Sequence, residues 1–161
     1  MTMLSIVKLE LSNECLSIDK KIKLVFYITE LSVKNKIGVK FMGNIWSGFV
    51  KRLNALRSNE LLFELMDDPI VNYTEVLFMG EGFPNYKERM NNIQNFFKEI
   101  FNLNYVKKIT LDIDACSTEE ETKAFGVPEI YLKPENFIEK MFDLHEKHNH
   151  GTPLVRMVFE K

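Results

Sequence analysis

Residues 21–31, KIKLVFYITEL, decide how the first third of the chain is read. Ile22, Leu24, Phe26 and Ile28 recur at period two, with Lys21, Lys23 and Tyr27 on the opposite side. Alternation of that kind predicts a half-buried β-strand. Upstream, 3–11 reads as a first strand with Ile6 and Val7 at its centre. Downstream, 33–41 reads as a third, interrupted by the Asn35-Lys36 turn signal and centred on Ile37 and Val39. The opening third is therefore expected to be all strand.

Beyond it the period changes. Asn44 looks like a helix cap, and Ile45, Phe49, Leu53 and Leu56 follow at spacings of four, four and three. That predicts an amphipathic helix to about Arg57. Residues 60–66 read equally as helix or strand, and 71–79 as a strand. After Pro84, Tyr86, Met90, Ile93, Phe97 and Ile100 line one side of the longest helix, 85–102. Phe96 and Phe101 flank that side, while Lys87, Asn91, Asn95 and Lys98 face water. A strand follows at 105–113. Ser117-Thr118-Glu119-Glu120 resembles a capping box and opens a short helix. The rest reads as a short strand at 130–132, a helix from Pro134 to about His148, and a final strand at 154–159. The expected fold is one α+β domain over residues 1–161. Its sheet is mixed and mostly antiparallel, with helices packed mainly on one face.

Composition bounds the class. The chain has 161 residues, 45% of them apolar, 27% charged, and a formal net charge of −2. That is the profile of a soluble globular domain with a sizeable core. A chain that is not basic is a poor general nucleic-acid binder. No apolar run approaches the roughly 18–20 residues of a spanning helix, and Met1-Thr2-Met3-Leu4 lacks the basic start of a secretory leader. Two cysteines, Cys15 and Cys116, suit a reducing cytoplasm. The 17 Lys against 4 Arg, with 14 Asn and 3 Ala, point to AT-rich coding, hence a low-GC genome or a horizontally acquired gene.

Charge is arranged in blocks. From Asp19 to Arg57 the bases are Lys20, Lys21, Lys23, Lys34, Lys36, Lys40, Lys51, Arg52 and Arg57, opposed by Asp19 and Glu30. Residues 58–86 hold Glu60, Glu64, Asp67, Asp68, Glu75 and Glu81 with no Lys or Arg. Residues 112–139 hold eight acids against Lys123 and Lys133. Two readings are open. The blocks neutralise one another across neighbouring strands, or an acidic patch survives to dock a basic partner.

Candidate chemistry is sparse. All three histidines fall in one corner, His145, His148 and His150. Cationic caps at a helix C-terminus explain them best. A zinc site completed by Asp143, Glu146 or Cys116 has no fixed third ligand. Gly80-Glu81-Gly82 is a strand–helix turn without a phosphate-loop Lys-Ser/Thr. Asp112 and Asp114 share one face of a strand end, a like-charge pair suited to a partner's Lys or Arg.

The expected function is protein binding without catalysis, in the manner of a small bacterial immunity or inhibitor protein. It would neutralise a basic toxin or nuclease domain through Asp67, Asp68, Glu81, Asp112, Asp114, Glu119, Glu120 and Glu121, in the cytoplasm. No cofactor, metal or catalytic residue is expected. The alternatives are a nucleic-acid or regulatory module using the basic segment 20–57, and a small enzyme with a carboxylate site.

Overall fold

The computed structural model describes residues 5–13, 17–41, 59–66, 86–113, 129–137, 139–140, 143 and 155–161. Their order is β1 (Ser5–Leu11), α1 (Ile18–Lys34), β2 (Gly38–Phe41), β3 (Glu60–Met66), α2 (Tyr86–Phe101), β4 (Val106–Ile113), β5 (Glu129–Tyr131) and β6 (Val155–Glu160). A 3-10 turn, Pro134–Asn136, follows β5. The strands form one sheet in the order β2-β3-β1-β4-β6-β5. Every pairing is antiparallel except β5 with β6. This is an α+β fold with a mixed, mostly antiparallel sheet. The expected helix at 44–57, strand at 71–79, turn at 80–82, capping-box helix from Ser117 and histidine corner lie outside the described residues.

The expected strand at 21–31 is instead the middle of helix α1. Ser17 caps it, its hydroxyl accepting from the Lys20 N–H at 3.3 Å. Lys21, Leu24, Ile28 and Leu31, spaced by three, four and three, face inward and are buried. Lys21, expected on the solvent side, is wholly buried, whereas Phe26, expected inside, is 66% exposed. The Asn35-Lys36 turn is present, but it ends this helix. The Ile37 N–H donates to the Ser32 carbonyl at 2.8 Å and the Lys36 N–H to the Val33 carbonyl at 3.2 Å. That crossed pair is a Schellman ending, which places Lys36 in the left-handed region at φ 56°.

The strand pleat divides the sheet into two faces. On β1, Val7, Leu9 and Leu11 are buried, while Ile6, Lys8 and Glu10 lie on the other side, half-buried. Register carries the apolar face across to Leu61, Phe63 and Leu65 of β3, Ile109 and Leu111 of β4, and Met157 and Phe159 of β6. These join Leu24, Ile28 and Leu31 of α1, and Ile93, Phe96, Phe97 and Ile100 of α2, in one core cluster. Aromatic rings form its spine. Phe63 meets Phe96 edge to face at 6.1 Å, and Phe97 lies 5.8 Å from both Phe137 and Phe159. Such pairs add about 0.5–1.5 kcal/mol each beyond burial. The predicted inward set of the long helix is found from Ile93 to Phe101, and Asn91, Asn95 and Lys98 are exposed as expected.

Three variants check this reading. Phe97→Ala should cost about 3–5 kcal/mol of unfolding free energy, while Phe26→Ala should stay within about 0.5 kcal/mol. A chain with 21–31 as a strand would lose heavily at Phe26. Lys36→Gly should stabilise by about 0.5–1 kcal/mol, because glycine enters the left-handed region without a Cβ penalty. Denaturant melts read all three.

Candidate functional site

The second face of the sheet carries the chemistry. Register resolves it into three rows running across the strands. The first is Lys40, Glu64, Ile6, Asp112, Arg156 and Glu129. The second is Leu62, Lys8, Thr110, Val158 and Tyr131. The third is Glu60, Glu10, Lys108 and Glu160. Two charged rows thus flank a row that is mainly uncharged.

Asp112 sits in the first row. The Arg156 guanidinium grips it in a fork, Nε to Oδ1 at 2.6 Å and Nη2 to Oδ2 at 3.0 Å. Arg156 is 7% exposed, so the pair is shielded from the water that weakens surface ion pairs. A second carboxylate, Glu129, stands 3.8 Å from Nη1. The planar guanidinium suits such two-sided recognition, because its N–H groups point along fixed directions. Lys40 and Glu64 approach to 3.7 Å in the same row, and Lys108 and Glu10 to 3.7 Å in the third.

The sequence blocks are therefore interleaved in space. β2 belongs to the basic block and β3 to the acidic one, and their pairing puts Lys40 beside Glu64. Lys34 and Lys36 reach helix α2 at Glu99 and Glu88, at 3.2 and 3.5 Å. Within the described residues these neighbouring-element pairs follow the neutralising reading of the blocks. Asp112 alone of the eight expected contact acids lies among the described residues. Asp67, Asp68, Glu81, Asp114, Glu119, Glu120 and Glu121 lie outside them.

What reaches solvent on this face is its rim. Thr110 and Val158 at the centre are 7% and 2% exposed, while Leu62 and Tyr131 at the two ends are 38% and 61% exposed. The Tyr131 hydroxyl donates to Glu129 Oε2 at 3.3 Å, so ring and carboxylate stand together on edge strand β5. Neither Glu129 nor Tyr131 stands out in the sequence taken singly, although residues two apart on a strand must share a face.

Among the described residues no three His, Cys, Asp or Glu side chains gather as metal ligands, and no helix is long and apolar enough to cross a membrane. Comparison with protein-family models, with curated proteins and with solved structures finds no match.

The fork has an energetic consequence. A double-mutant cycle on Asp112→Ala and Arg156→Met should return a coupling on the order of 1–3 kcal/mol in unfolding free energy. A coupling near zero would mean the pair contributes no more than an exposed one.

Proposed function

We propose that this chain is a non-catalytic protein-binding protein that docks a basic partner through the acidic rim of its polar sheet face. The class that suits it is a small bacterial immunity or inhibitor protein acting in the cytoplasm on a basic toxin or nuclease domain. One observation carries the proposal: exposed Tyr131 stands beside Glu129, on a face holding six acids (Glu10, Glu60, Glu64, Asp112, Glu129, Glu160) and four bases (Lys8, Lys40, Lys108, Arg156). An exposed tyrosine is the kind of anchor that protein interfaces favour, and the carboxylate beside it would select for a basic partner. The surrounding negative excess would draw in a basic partner and orient it.

Within this reading Asp112 has a different part from the one its sequence position suggested. Its charge is already matched by Arg156. It holds the guanidinium that in turn lies beside Glu129, and so positions the contact residue.

The basic segment supports a nucleic-acid groove less well. Of its six described lysines, Lys21 is buried, Lys34, Lys36 and Lys40 are each within ion-pair distance of a glutamate, and Lys20 and Lys23 are left exposed on α1. Nucleic-acid affinity needs cations that converge on the phosphates and release counterions there.

The test is capture with the intact chain as bait, co-expressed with its neighbouring gene in the native host. The expected result is recovery of a basic protein whose affinity falls at least tenfold with Tyr131→Ala and with Glu129→Lys, and declines with added salt. Recovery of nothing but the bait sinks the reading. Retention of single- or double-stranded DNA at low salt, falling steeply as salt rises, would favour the nucleic-acid alternative instead.

A further inference from the structure

Helix α1 is apolar on two opposite sides. At 3.6 residues per turn, its buried stripe (Leu24, Ile28, Leu31) and a second set, Ile22, Phe26, Thr29 and Val33, lie roughly half a turn apart. The second set spans only about 60° of the helix surface. Ile22, Phe26 and Val33 are 39%, 66% and 75% exposed. The Thr29 hydroxyl already donates to the Val25 carbonyl at 2.8 Å, so covering this residue strands no donor. The spacing is four, three, four, which is the repeat of a coiled-coil seam.

We infer that this seam binds a second copy of the chain, α1 against α1 in antiparallel orientation about a two-fold axis between Tyr27 and Ile28. The argument is self-complementarity. In that orientation the layers pair Ile22 with Val33 and Phe26 with Thr29 of the other copy, each large side chain meeting a smaller one. The same symmetry sets Lys23 beside Glu30 of the second copy, twice. Both residues are exposed, lie on the same flank of the seam, and have no ion pair among the described residues. Seven residues apart on one helix, they are about 10 Å from each other and do not pair within the chain. A parallel arrangement would instead set Lys23 against Ile18 or Val25, with no charge to meet it. Flanking pairs of opposite sign are what select orientation in such seams. A two-fold contact is isologous, so it closes at the dimer. All of the contact residues are on α1, so the inference stands apart from the sheet-face proposal.

A three-turn seam is small beside standard interfaces, so the dimer should be weak, with a Kd on the order of 10–100 μM. Sedimentation equilibrium of the full chain up to about 500 μM should show the mass rising from monomer towards dimer. Phe26→Asp should hold it at monomer, with an unchanged circular dichroism melt showing that the fold is intact. Lys23→Glu and Glu30→Lys should each weaken association about three- to tenfold, and the double variant should recover it. Three results would overturn the inference: a wild-type monomer throughout, association undiminished by Phe26→Asp, or a double variant no better than the singles.

Discussion

Strand β1 is hydrogen-bonded along both edges, to β3 on one side and β4 on the other. The rest of the sheet depends on its alternation. Because Val7, Leu9 and Leu11 all turn to one side, the neighbours in register with them must be apolar on that side too. A slip of one residue would turn Lys8 and Glu10 towards the apolar core cluster. The same alternation collects the charges on the opposite face, where opposed signs meet in rows. Core and candidate interface are thus two consequences of one pleat.

That geometry also explains why charge blocks along the chain do not survive as blocks in space. An antiparallel sheet brings together strands that are distant in sequence. β2 and β3 come from oppositely charged segments, and β4 and β6 lie over forty residues apart, yet Lys40 meets Glu64 and Asp112 meets Arg156. Negative excess remains, but as a rim around compensated pairs. On the proposed reading, what the face would offer a partner is orientation rather than bulk charge. Arg156, held by Asp112, lies beside Glu129, and Glu129 accepts from Tyr131, so the exposed end of the chain of contacts is fixed from beneath.

Much of this was legible. The first strand, the long helix with its inward phenylalanines, the strands at 105–113 and 154–159 and the α+β class all follow from period and breakers. Residues 60–66 were not decidable, because seven residues with five apolar ones fit either period; pairing with β1 and β2 makes them a strand. In the site, Asp112 stood out as a carboxylate at a strand end. Its partner was invisible, since nothing local says that β6 lies beside β4. Glu129 and Tyr131 were hidden for the same reason, as β5 joins the sheet through a parallel pairing that only the fold supplies.

The strand-like alternation of 21–31 has a more specific cause. Residues two apart on a helix are about 200° apart. Ile22 and Phe26 fall on one side of α1 and Leu24 and Ile28 on the other. A helix with two opposite apolar stripes therefore places an apolar residue at every second position, which is the pattern of a half-buried strand. An ordinary surface helix, apolar on one side, cannot produce it. The alternation that pointed to a strand was thus a record of the second stripe. Burial by the chain's own core accounts for Leu24 and Ile28 and leaves Ile22, Phe26 and Val33 in water. Folding alone therefore explains one stripe, and the other is the surface that the proposed pairing with a second α1 would cover.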